Sequence, residues 1–443
     1  MLEFSVMRNL PLKLSVIVLA AFAAAGCAAS GVTLPESQFL RVLEGKAGRI
    51  AYLGMDGNLF TIDQGGSDKY QLTDDAEGLP LDFVYAARRF AWAPDGSRIA
   101  YIGFSEQEWT LQVAEPDGSD PARLYGSSTE NPVLLQWTPD GENVSFMTQT
   151  DPFLVEGATQ LGLRSVPADG SGTETLLLEG YPLFFSWDPE GDRALVHTGG
   201  WAEEDTDRIS ILTIGSDFER NLELPPAGFL TPAWSPDGTR LLIAIEDVQG
   251  RNALVVTNLQ GQTRETLATF DMSVAFTWSP DSRYVGYIAS DRTRQGASGN
   301  LTIVDAATGE TMFVTEEHLV HAFVWSPDGR QLIYFTQELV GDEGEQNLMF
   351  GLGVHFLDLE EWEARHPQLG EFPFIFQPTP RFRQYLLTFD QHQQGATIWS
   401  PDGEYVVLSA LTGNQGVILV VTVSGNREPR QIDTGLMALW SGE

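Results

Sequence analysis

The sequence predicts an all-β protein, a β-propeller built from four-stranded blades, and three observations carry that prediction. A Trp-x-Pro-acid motif occurs seven times, opened by Trp92, Trp137, Trp187, Trp234, Trp278, Trp325 and Trp399. Successive tryptophans lie 45, 50, 47, 44, 47 and 74 residues apart, and a repeat of about 40–50 residues with four strands in each is a propeller signature. Strand-type runs flank every motif, such as Ala322-Phe323-Val324 before and Leu332-Ile333-Tyr334-Phe335 after.

Each motif is a turn with a mechanism. In Trp325-Ser326-Pro327-Asp328-Gly329 the proline presets φ, the aspartate suits the next position, and the glycine takes the left-handed conformation that returns the chain. Further strands follow within a repeat: after Trp278 come residues 284–289, 301–305 and 311–315, separated by glycine or polar turns. Residues 49–73 supply only a second, third and fourth strand. The missing first strand stands at the other end of the chain, in Leu436-Met437-Ala438-Leu439-Trp440-Ser441. Pairing the two ends closes the ring and removes the free edges that invite aggregation. Seven complete blades and one shared blade make eight; seven, with one repeat degenerate or displaced, is the alternative.

These motifs resemble the TolB-like propeller repeat, whose blades carry W-S-P-D-G and often end in a "dG…LT" segment. Asp117-Gly118 with Arg123-Leu124, and Gln71-Leu72-Thr73, fit that ending. The resemblance covers most of residues 49–441 and implies a fold, with little said about chemistry.

Residues 1–26 read as a signal peptide. Arg8 and Lys13 precede the apolar run Leu14–Ala25, which is too short to span a bilayer as a stable helix. Ala24-Ala25-Gly26-Cys27 resembles a bacterial lipoprotein processing site. Cys27 is the only cysteine in the chain, so lipidation at Cys27 is expected and an internal disulfide is excluded. Residues 27–47 form a lipidated tether and residues 48–443 the propeller. Membrane attachment is expected through that lipid alone, placing an otherwise monomeric protein outside the cytoplasm, in the periplasm or on the cell surface. With 61 acidic and 26 basic residues the net charge is −35. Such a surface opposes nucleic-acid and anionic-lipid binding.

The long interval after Trp325 implies an insertion at 359–391, in which residues 360–376, rich in Pro, Gly and acidic residues, read as irregular. Thr379-Pro380 opens a helical pattern in which Phe382, Leu386 and Phe389 share a face, giving a helix at about 380–390, expected to be the one substantial helix. Because the insertion joins a fourth strand to the next first strand, it is expected on the rim that carries the second-to-third connections.

Catalytic signatures are missing. The sequence has no Gly-x-Ser-x-Gly elbow, phosphate-binding glycine loop or HExxH. His318 and His321 with Glu316 or Glu317 offer a weak metal set, and the acidic turns 115–120 and 342–345 lack EF-hand spacing. The repeated turn acids (Asp95, Asp140, Glu190, Asp237, Asp281, Asp328 and Asp402) are explained by turn chemistry, and the tryptophans by packing between sheets. No cofactor is expected. The reading is a binding scaffold for a protein or small ligand; the alternative is a hydrolase or lyase with its site at the axial channel. The predicted first strands carry no acidic residues to serve the latter.

Turn position locates the binding face. The proline turns occupy one rim with little variation in length. Long, dissimilar second-to-third connections occupy the other and carry Phe153, Trp201, Arg292 with Arg294, and Asp342 with Glu343; Trp109 lies in a shorter one. Exposed aromatics on variable loops of a rigid scaffold mark these seven residues as candidate partner-binding positions.

Overall fold

The computed structural model describes residues 48–442 except 105–107, 151–160, 200–206, 216–218, 229, 291–298, 316–318, 341–348, 366–373, 393 and 425–426. Eight antiparallel sheets follow one another along the chain, so the propeller has eight blades. Blade 1 comprises residues 50–71 with Gly435–Trp440. Blades 2 to 8 span residues 90–127, 130–180, 183–221, 233–270, 273–314, 320–376 and 405–433. Seven sheets have four strands and blade 8 has three, its first strand reduced to the single bridge Trp399↔Val406.

Ring closure is as expected. Ile50, Ala51, Tyr52 and Leu53 pair with Trp440, Leu439, Ala438 and Met437, and every residue of Gly435–Trp440 is buried. The Arg49 and Ser441 backbones extend the clasp, Ser441 donating its N–H to the Arg49 carbonyl at 2.8 Å. First strands are buried while fourth strands such as Glu219–Asn221 and Arg430–Asp433 are largely solvated. That gradient puts the first strand of each blade innermost, around the axis.

The repeat tryptophans sew the blades together. Five of the indole N–H groups reach the residue that precedes the tryptophan of the previous blade. Trp92 donates to the Leu439 carbonyl, Trp137 to Ala91, Trp278 to Ala233 and Trp399 to Val324, while Trp325 donates to the Thr277 hydroxyl. Trp187 and Trp234 have buried indole nitrogens with no acceptor among the described residues.

The turns behave as their chemistry requires. Ser235 Oγ donates to Asp237 and accepts the Arg240 N–H, while Asp237 accepts the Thr239 N–H. The same three bonds recur around Ser326 and Ser400. Ser282 adopts φ 61° where the other copies have glycine, and its hydroxyl accepts the Asp237 N–H of the neighbouring blade.

Among the described residues four helices decorate the sheets, more than the sequence suggested: α1 (Leu81–Ala87), α2 (Leu359–Arg365), α3 (Pro380–Leu387) and α4 (Phe389–His392). The expected 380–390 helix is present but breaks at Thr388. Residues 360–376, expected to be irregular, contain α2 and the two-residue fourth strand of blade 7, Ile375–Phe376.

The insertion is not a rim decoration, and here the sequence expectation is corrected. Thr379 caps α3 by accepting the Phe382 N–H and donates to the Leu436 carbonyl of the closing strand. Phe382, Tyr385, Leu386 and Phe389 are buried in the principal core, with the Phe389 ring 4.8 Å from Phe323 on an inner strand. Past α4, Gln394 holds Trp187 by both backbone groups, at 2.8 Å to its N–H and 2.7 Å to its carbonyl, and accepts from Gln136. The segment enters beside blade 1 and reaches the inner strands of blades 3 and 4. It therefore threads the axial channel, because its apolar face is better buried there than on a solvated rim.

Candidate functional site

Among the described residues, two concavities lie on opposite rims of the ring. At the proline-turn mouth lies a cavity of about 530 Å³, walled by seven of the eight ring tryptophans and by turn prolines. Its floor is the insertion, from Tyr385 and Phe389 to Thr397. Most of these indoles are committed to the inter-blade bonds described above, so this wall belongs to the scaffold.

On the opposite rim a groove of about 380 Å³ lies between blades 2 and 3. The connections that follow second and fourth strands build it. Phe83, Ala86 and Ala87 come from α1, Arg89 follows that helix, Trp109 begins the third strand of blade 2, Ser128 and Thr129 join blade 2 to blade 3, and Asn131, Pro132 and Val133 open the first strand of blade 3. Phe83, Phe104 and Trp109 form an aromatic triangle with centroids 5.2 to 5.6 Å apart, and Phe83 is 43% exposed. Aromatics packed on one another yet open to solvent present a rigid amphipathic surface at small entropic cost.

The groove is anchored from below. Arg88 is wholly buried and forms a bidentate pair with Asp75, which also accepts the Phe104 N–H at 2.7 Å. Arg88 further donates to the Ile102 carbonyl and lies 4.5 Å from the Phe104 ring. A paired and hydrogen-bonded buried guanidinium fixes α1 and the aromatic triangle in one geometry.

Of the sequence-predicted binding residues, Trp109 lies in this groove, though as the half-buried first residue of a strand paired with Phe104 and Ser127 and not in the connecting loop expected. Phe153, Trp201, Arg292, Arg294, Asp342 and Glu343 fall outside the described residues, as do Cys27, His318, Glu316, Glu317 and the 342–345 turn. His321 is buried on an inner strand, its ring against Phe350, and burial lowers its pKa. The turn at 115–120 closes on itself: Ser119 donates to Asp117 and Glu115. Asp188, Glu190 and Asp192 place three carboxylate oxygens within 4.8 Å. Asp188 there replaces the usual turn serine, accepting the Arg193 N–H and pairing with its guanidinium at 2.8 Å, which is a turn role.

The insertion brings further titrating groups into the channel. Burial pushes the Asp390 carboxyl up to about 7. Burial, with the nearby charges of Arg89 and Arg381, holds His392 down to about 4. Sequence reasoning missed Phe83, Arg89 and Arg381; only the exposed aromatic Phe83 carries a local signal.

Comparison with known proteins bears on the fold. The family model described as the TolB beta propeller domain matches residues 96–343, more than half of the chain. No curated protein matches. Among solved structures, a eukaryotic initiation factor is similar at a TM-score of 0.51 and 12% identity, over 89% of this chain and 98% of that one. TolB from Acinetobacter baumannii is 15% identical over 65% of this chain and 72% of that one, with a TM-score of 0.38. A putative TolB from Agrobacterium tumefaciens is 17% identical over 61% and 90%, with a TM-score of 0.36.

Proposed function

Because the chain belongs to the TolB beta propeller domain family, we propose that it is a lipid-anchored, extracytoplasmic binding scaffold that captures a protein or small ligand at the loop rim and performs no chemistry of its own. The observation that carries this reading is the groove between blades 2 and 3, where a rigid aromatic triangle stands partly open to solvent beside an anchored arginine. The lone Cys27 behind an apolar leader supports the anchor, and an acidic body supports solubility outside the cytoplasm. A hydrolase or lyase at the axis would need convergent catalytic groups on the inner strands, whereas the channel is occupied by the insertion.

Capture from solubilised membranes by the lipidated protein tests the reading. Trp109→Ala with Phe83→Ala should abolish capture while leaving the fold intact. Glu142→Ala with Thr239→Ala, on the proline-turn rim, should leave capture unchanged. The reverse pattern would put the site on the other face.

A further inference from the structure

Arg89, which lines the loop-rim groove, and Arg381 of the insertion come together with no carboxylate to neutralise them among the described residues. Arg89 lines the groove and donates to the carbonyls of Ala86 and Arg88. Arg381, from the first turn of α3, donates to that same Arg88 carbonyl at 3.1 Å and to Gln384. Two guanidinium groups within hydrogen-bond reach of one oxygen are close neighbours, although 292 residues separate them. Neither has a carboxylate partner among the described residues. Nearby, Arg88 is paired with Asp75 and Glu130 with Arg164, while His392 of α4 lies close enough to feel the charge of both arginines.

This arrangement is electrostatically unfavourable as it stands. Like charges repel more strongly in a partly desolvated site than in water, and Arg381 adds a cation to the positive end of a helix. Burial and the Arg89 charge together pull the Arg381 pKa down to about 9. The rest of the chain has more than two acidic residues for each basic one, so acids to relieve the repulsion are abundant elsewhere. Paired planar guanidinium groups match the geometry of a carboxylate, and the adjoining Phe83 and Trp109 rings offer an apolar wall. A volume of about 380 Å³ sits at the small end of ligand pockets, fitting a body about the size of one or two residues.

We propose that the groove binds the carboxylate of a small ligand with an aromatic or apolar body, Arg89 and Arg381 holding the carboxylate and Phe83 and Trp109 the body. This rests on the loop-rim reading and gives the chemistry of what that rim accepts. Either a peptide C-terminus or a free organic acid presents the required group.

Calorimetric titration of the purified protein with N-acetyl-phenylalanine, its amide and 3-phenylpropionate tests it. Saturable binding of the acid is expected, with the amide at least tenfold weaker. Arg89→Gln with Arg381→Gln should weaken the acid at least tenfold, leave the amide unchanged and keep the melting temperature. A preference for N-acetyl-phenylalanine over 3-phenylpropionate identifies a peptide terminus as the source, and the reverse preference a free acid. Equal binding of acid and amide, or undiminished binding by the double variant, overturns the proposal. Should Trp109→Ala weaken acid and amide alike in that case, the groove still binds and the loop-rim reading stands without the carboxylate. No binding of any probe at millimolar concentration also overturns it, with the rim itself then judged by crosslinking.

Discussion

Removal of the closing strand should collapse the ring. Deleting Leu436–Glu443 takes away Leu436, Met437, Leu439 and Trp440, all buried, with four backbone pairs to blade 1 and the acceptor for the Trp92 indole. A buried Trp→Ala change alone costs about 3–5 kcal/mol and a buried Leu or Met→Ala change about 2–5. Even discounted for non-additivity, the loss is on the order of 10 kcal/mol, against a total stability of roughly 5–15 kcal/mol for a folded domain. The deletion also uncovers the inner edge of blade 1 and the Thr379 hydroxyl that bonds Leu436. Thermal unfolding followed by circular dichroism should therefore show no cooperative native transition, and size exclusion should show association through the open edges. A synthetic peptide of residues 435–443 should restore the transition, whereas removing Gly442 and Glu443 alone should shift it by only a few degrees. A melting temperature within a few degrees of the full chain after the longer deletion would refute the argument.

Three further outcomes are expected, the first from the sequence and the others from the structure. Metabolic labelling with a fatty acid should mark the wild-type chain and not Cys27→Ser; equal labelling would end the lipidation proposal. Gln394→Ala removes three hydrogen bonds that tie the insertion to Trp187 and Gln136, so denaturant unfolding should report a loss of about 2–3 kcal/mol, at about 1 kcal/mol per bond; an unchanged midpoint would detach the insertion from the far side of the channel. Asp390 is protonated in the folded chain up to about pH 7 but ionises near pH 4 when unfolded, so its contribution fades as the pH rises between those values, while His392, held down to about 4, contributes a loss as the pH falls from 6.5. Asp390→Asn should accordingly raise the melting temperature more at pH 8 than at pH 5, and an equal shift at both would contradict the burial of that carboxyl.

The repeat was legible because each link in it is local. Turn residues sit at fixed offsets from Trp92 or Trp325, strands alternate around them, and Leu436–Ser441 copies the inner strand well enough to show where the ring closes. The insertion was legible as a helix but not as a plug. The spacing of Phe382, Leu386 and Phe389 announces an apolar face and leaves open which surface will cover it. Helix α1 gave no signal, since Pro80 provides no side-chain cap and Val84 is its one buried residue. In α2, Glu360 and Glu361 sit where a helix dipole favours them, yet in a Pro-, Gly- and acid-rich stretch they read as loop. The candidate site was half legible. Trp109 stood out as an exposed aromatic, whereas Arg89 and Arg381 become neighbours only through the path of the insertion.

The claim that binding resides on the loop rim is tested most directly by site-specific photocrosslinking in cells. A photoreactive phenylalanine analogue at Thr129, beside the groove, should yield a discrete adduct that disappears when Trp109 is changed to Ala. The same analogue at Glu142 or Glu404, in the proline turns, should yield none. Adducts from Glu142 or Glu404 with none from Thr129 would contradict the account.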